Sequence, residues 1–116
     1  MAILDGPAKI GGSDNGIRPM EMILMGLAGC SSFDILSILE KTRQKPENFE
    51  VQVEGTRSED IPAVYTSIHM HFVVSGDVQS KQLDKAISLS VEKYCSVARM
   101  LQKEVDITFS SEITQE

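Results

Sequence analysis

The stretch PMEMILMGLAGCSSFDILSIL, residues 19–39, constrains this chain more than any other. Met22 to Cys30 carry no charge, and Phe33, Ile35, Leu36, Ile38 and Leu39 extend the apolar character to every side of a helix. A helix that is apolar all round has to be buried. Asp34 and the serines at 31, 32 and 37 speak against a membrane span, and the unbroken run is too short for one. Pro19 suits a first helical position, where no N–H is needed, and Glu21 sets a negative charge in the first turn. The helix is expected to run to about Arg43, with Lys41, Arg43 and Lys45 at its positive end and Pro46 as the stop. Gly26 and Gly29 lie inside it at a cost of about 1 kcal/mol each relative to Ala. That cost implies a backbone that something approaches closely.

With 116 residues the chain is one domain, 1–116. A net charge of −6 argues against nucleic acid and anionic membrane surfaces as partners. The opening MAILDGPAKI has no basic region and no long apolar run, so a secretory signal is not expected and the cytoplasm is the default location. Two cysteines far apart in sequence do not make a disulfide scaffold. No CxxC, zinc-type cluster or repeat is present.

Before the helix, Ala2 to Leu4 can form a short edge strand, and GGSDNGI reads as a loop with a turn at Asn15-Gly16. That loop matches no strand-to-helix phosphate motif. After the helix, FEVQVEG alternates apolar Phe49, Val51 and Val53 with polar residues. From Tyr65 to Val74 the alternation repeats, with Thr66, Ile68, Met70, Phe72 and Val74 on one face and Ser67, His69 and His71 on the other. The link SEDIPA makes an antiparallel hairpin the simplest connection. The histidines then point outward together, as solvent-facing residues rather than metal ligands. A second helix is expected from a Ser80 N-cap, its buried face made by Leu83, Ala86, Ile87, Val91, Tyr94, Cys95, Ala98 and Leu101. A final strand, VDITFSSEI, turns Val105, Ile107, Phe109 and Ile113 to one side. The fold class is α+β: a mostly antiparallel sheet packed on a long central helix and a second helix. So small a sheet leaves part of the central helix uncovered, and a second copy of the chain is the natural cover.

Local physics offers little to activate Cys30. It lies beyond the first-turn dipole, and Asp34, one turn later on the same face, opposes ionisation. Glu21 is about 180° away around the helix. A buried, inert cysteine and a reactive one both remain open, and local physics favours the first.

The run RPMEMILMGLAGCSSFDILSIL, followed by EKYCSVARML, resembles the OsmC/Ohr family of osmotically inducible and organic hydroperoxide resistance proteins. The likeness spans about Leu4 to Ile113 and is nearer to the OsmC-like branch with PMEM and KYCSV than to the best-known peroxidases. It implies an intertwined homodimer and a thiol peroxidase without metal or prosthetic group. The residue matching the attacking cysteine is Cys30, and the one matching the resolving cysteine is Cys95. Organic hydroperoxides would be the oxidants, with a dithiol or lipoylated protein as reductant. Two departures accompany the likeness. The family's glutamate after the helix-start proline is Met20 here, with Glu21 one place later. By this likeness the chain is expected to begin after the family's N-terminal β-hairpin, which brings an activating arginine. Arg18 and Arg99 are the substitutes to examine, and one sheet edge is expected to need cover. The departures keep a second reading alive: a catalytically weak or inactive dimer that binds a small apolar ligand or a partner.

Overall fold

The computed structural model describes residues 18–114. The edge strand at Ala2 to Leu4 and the glycine-containing loop at 11–17 lie outside them. The elements run α1 (Pro19–Lys41), β1 (Lys45–Arg57), β2 (Tyr65–Asp77), α2 (Ser80–Leu89), a π-helical turn (Ser90–Tyr94), α3 (Ser96–Leu101) and β3 (Asp106–Thr114).

Pro19 is the first residue of α1, as its fixed φ favours. The helix ends at Lys41, four residues before β1 and short of Pro46. What stops it is backbone geometry. Arg43 takes a left-handed φ of 62°. Its N–H donates to the Glu40 carbonyl at 3.0 Å, and the Gln44 N–H donates to the Leu39 carbonyl at 2.8 Å. These two bonds form a Schellman cap that satisfies carbonyls the helix would otherwise leave open.

β1 and β2 form the expected antiparallel hairpin, with Val51 opposite Phe72 and Val53 opposite Met70. β3 joins β2 in parallel, Phe109 level with Met70, so the three-stranded sheet, ordered β1-β2-β3, is mixed. The reason lies in the connection. The chain from Val78 to Val105 crosses back over one face of the sheet through α2 and α3, returning to the end where β2 began. A strand placed beside β2 after such a crossover runs the same way as β2. The period-two pattern of β3 shows that one face is wet but carries no information about direction.

One face of the sheet is covered by α1 and α2, with Leu27, Ile35 and Leu39 of α1, Ile68, Met70, Phe72 and Val74 of β2, and Leu83 and Ile87 of α2 buried between. Ser111 follows the same face and donates to Asp84 of α2 at 2.8 Å. At the start of α1, the Tyr65 hydroxyl donates to the Met20 carbonyl at 2.6 Å, and the ring lies over Gly55. A Cβ at Gly55 would stand 2.5 Å from that ring, so only glycine fits there. The opposite face carries the histidines. His69 is within hydrogen-bond distance of Thr108 (2.7 Å) and Ser110 (2.9 Å), and His71 of Ser110 (2.6 Å) and Glu112 (2.9 Å). Both rings are tied to β3 rather than to each other.

The second helical region departs from its expected form. α2 begins at Ser80 with Gln79 as N-cap and no side-chain capping bond. It then loosens into the π turn, breaks at Cys95, whose ψ of 112° is extended, and restarts as α3. Helical periodicity cannot reveal this break, because no Gly or Pro marks it.

α1 is long and apolar enough to cross a bilayer by length and composition alone. One side of it, however, seals the core just described. The other side, with Met25, Phe33 and Leu36, is exposed, Phe33 at 80%. Around Gly26 and Gly29 a built Cβ meets nothing within 4 Å.

Candidate active site

The π turn and the break after it determine where the second thiol goes. The Cys95 N–H reaches back five residues to the Ser90 carbonyl at 2.7 Å, and the Cys95 carbonyl accepts from Arg99 N–H at 3.0 Å. Held at both ends, Cys95 is 1% exposed and turned toward α1. There the Ser31 hydroxyl donates to its sulfur at 3.3 Å. Ser90 donates in turn to the Ser31 carbonyl at 3.0 Å. Ser31 and Ser90 are both fully buried, and together they pin the turn to the central helix. Neither was singled out in the sequence. The available signal was a serine at each of two positions that helical spacing assigns to the interior.

Cys30 adjoins Ser31 on α1 and is half-buried, so it faces outward more than Cys95 does. Asp34 follows one turn later on the same face. The Cys30 sulfur, the Cys95 sulfur and an Asp34 carboxylate oxygen all lie within 4.8 Å of one another. Cys95 thus meets two residues that lie 65 and 61 positions before it in the sequence. Both thiols are reduced in the structure. Burial pushes the Cys95 thiol up; the Ser31 and Ala98 hydrogen bonds pull it down, and the neighbouring Cys30 raises it again.

The other residues singled out in the sequence stand apart from this cluster. Glu21 is exposed, and its charge bears on the Tyr65 hydroxyl at the far end of the helix. Arg18 is half-buried just ahead of Pro19. Twelve residues at 1.5 Å each separate it from Cys30, about 18 Å along the axis and beyond an arginine's reach within one chain. Arg99 is exposed, and the groups that bear on the Cys95 thiol are Ser31, Ala98 and Cys30. The common face expected for Arg99 and Cys95 presumed a continuous helix, and the extended Cys95 interrupts it.

A cleft of about 470 Å³, lined by Asp34, Ser37, Ile38, Lys41, Leu89 and Tyr94, opens beside the cluster at Asp34. A second cleft of about 460 Å³, between Val91 and Phe109, contains neither cysteine.

An α+β chain with helices on one face of a mixed sheet, and two thiols meeting between the central helix and the break in the second helical region, defines a class of small two-cysteine proteins. The chain belongs to the OsmC-like protein family, whose model matches residues 12–110. It is 46% identical over 101 residues to Protein YhfA of Escherichia coli K12, covering 86% of this chain and 75% of that protein. Its fold is similar to that of a hypothetical protein from Aquifex aeolicus, with a TM-score of 0.85, 35% identity, and coverage of 92% of this chain and 83% of the other. It is also similar to an organic hydroperoxide resistance protein OsmC from Legionella pneumophila, with a TM-score of 0.73 and coverage of 93% and 78%. At 16% identity, that last likeness speaks for the fold alone.

Proposed function

We propose that the protein is a cytoplasmic, thiol-dependent peroxidase that reduces organic hydroperoxides in defence against oxidative stress. The observation that carries this reading is the meeting of a half-buried and a buried thiol within 4.8 Å. The Cys30 thiolate attacks the outer oxygen of the hydroperoxide. The O–O bond breaks, an alcohol leaves with one added proton, and Cys30 becomes a sulfenic acid. The Cys95 sulfur then attacks the Cys30 sulfur, releasing water and forming one disulfide. A dithiol or lipoylated protein returns both thiols by exchange. The residues need no metal or prosthetic group for these steps. Ser31 steadies Cys95 on the inner side, and the cleft beside Asp34 offers room for the organic part of the substrate.

The exposed apolar side of α1 is the second part of the reading. Met25, Phe33 and Leu36 flank Gly26 and Gly29 there, and a second copy of the chain is the cover that matches a helix apolar on all sides. The protein acts as a homodimer.

The test is stoichiometric. One equivalent of tert-butyl hydroperoxide should remove both thiols of the wild type together and leave an internal disulfide by mass spectrometry. Cys95→Ser should consume the first equivalent and stop at sulfenic or sulfinic acid on Cys30. Cys30→Ser should be inert. Consumption at the wild-type rate by Cys30→Ser would exclude the mechanism. One observation favours a binding module instead: among the described residues no cation bears on the Cys95 thiol, while Asp34 adjoins both sulfurs. In that case neither cysteine would react faster than a free thiol.

A further inference from the structure

Two thiols and a carboxylate converge on one point, and the carboxylate has no other use. Among the described residues Asp34 makes neither an ion pair nor a side-chain hydrogen bond. It is half-buried, and it sits where ionising either thiol would add a second negative charge beside it. Three acidic groups gathered within 4.8 Å repel one another once ionised, and a divalent cation among them reverses the sign of every one of those interactions.

We propose that the reduced protein binds one Zn²⁺ per chain through Cys30 Sγ, Cys95 Sγ and an Asp34 carboxylate oxygen, with water as a fourth ligand. The donor set chooses the metal. Thiolate sulfur selects against Mg²⁺ and Ca²⁺, which take oxygen ligands. Two sulfurs with one carboxylate suit a borderline ion that accepts both kinds of ligand in a tetrahedron. Ligands about 2.3 Å from a zinc ion stand roughly 3.8 Å apart in that geometry, so a spacing within 4.8 Å has to close by no more than about 1 Å. Cys30 and Asp34 are already held on one helical face, and the Ser31 bond and the π turn hold Cys95 opposite them. Cys30 and Asp34 both retain access to solvent, which provides an entry path. Each thiol loses its proton on binding, so one Zn²⁺ replaces two protons, and the site with its three anionic ligands carries a net charge of −1.

This site does not depend on the peroxidase reading and is tested without peroxide. Reduced wild-type protein, kept free of oxygen, is titrated with Co²⁺ and then with Zn²⁺. One equivalent of Co²⁺ per chain should produce a thiolate-to-metal charge-transfer band and tetrahedral visible bands, and Zn²⁺ should abolish both. Two protons should be released per metal. Asp34→Asn should keep the circular dichroism of the wild type and weaken binding roughly 10- to 100-fold. Cys30→Ser should lose about half the charge-transfer intensity, as one of two thiolates is removed. The internally disulfide-bonded wild type should bind no metal at the site. Binding of Asp34→Asn as tight as the wild type, an unchanged band in Cys30→Ser, or no Zn²⁺ uptake by the reduced wild type at micromolar concentration would each overturn the proposal.

Discussion

Replacing Gly29 by alanine separates a lone helix from a dimer by the sign of its effect. In the single chain Gly29 is exposed, and a Cβ placed on it meets nothing within 4 Å. Filling that space in a helix interior should stabilise an isolated chain by about 0.5–1 kcal/mol, because glycine loses the most backbone freedom on folding. If a partner helix crosses α1 at the glycines, the same methyl meets a backbone. Overpacking of that kind costs about 1–3 kcal/mol per copy, and in a symmetric pair both copies suffer it. Subtracting the propensity gain leaves a net loss of up to about 2.5 kcal/mol per chain, a factor of up to about 70 in the equilibrium constant. Gly29→Leu should do the same more severely. The assay is urea unfolding at several protein concentrations alongside analytical sedimentation. For a dimer, the wild-type midpoint rises with concentration and Gly29→Ala lowers it. An Ala variant that is more stable than wild type, with a midpoint independent of concentration, would refute the reasoning and leave α1 without a partner at the glycines.

Three further outcomes follow from other contacts. Arg43→Gly should stabilise the fold by about 1 kcal/mol in thermal unfolding, because φ at 43 is 62° and glycine adopts it without a Cβ clash. Tyr65→Phe should cost about 1 kcal/mol by removing the hydroxyl bond to Met20, and it should also change the alkaline limb of the stability curve. Burial first, and then the Glu21 charge, hold the folded Tyr65 hydroxyl above its ordinary value of 10.0, against an opposing pull from Arg57. The unfolded chain therefore releases this proton first, so stability falls as pH rises from about 10 toward the folded value, and the Phe variant should show a shallower decline. Ser31→Ala should leave the first oxidation of Cys30 unchanged and slow closure of the disulfide, measured as loss of the second thiol, because it removes the hydroxyl that holds Cys95 in place.

Much of the architecture was legible in the sequence because burial leaves periodic traces. The alternation from Phe49 to Val53 and from Ile68 to Val74 identified a hairpin and its inner face, and the apolar run after Pro19 identified the central helix. Those patterns follow from local backbone periods of two and 3.6 residues, which any stretch carries on its own. The sequence also held both thiols and Asp34, together with the likeness to OsmC proteins. Their meeting was decided elsewhere. Cys95 reaches Cys30 because a π turn without Gly or Pro breaks an apparently continuous helix, and two buried serines fix the break to α1. The parallel setting of β3 depends on a crossover closing over the sheet, and the left-handed Arg43 on where the chain must turn to begin β1. Each is a non-local constraint, set by packing between segments far apart in the chain, and a local period carries no record of it.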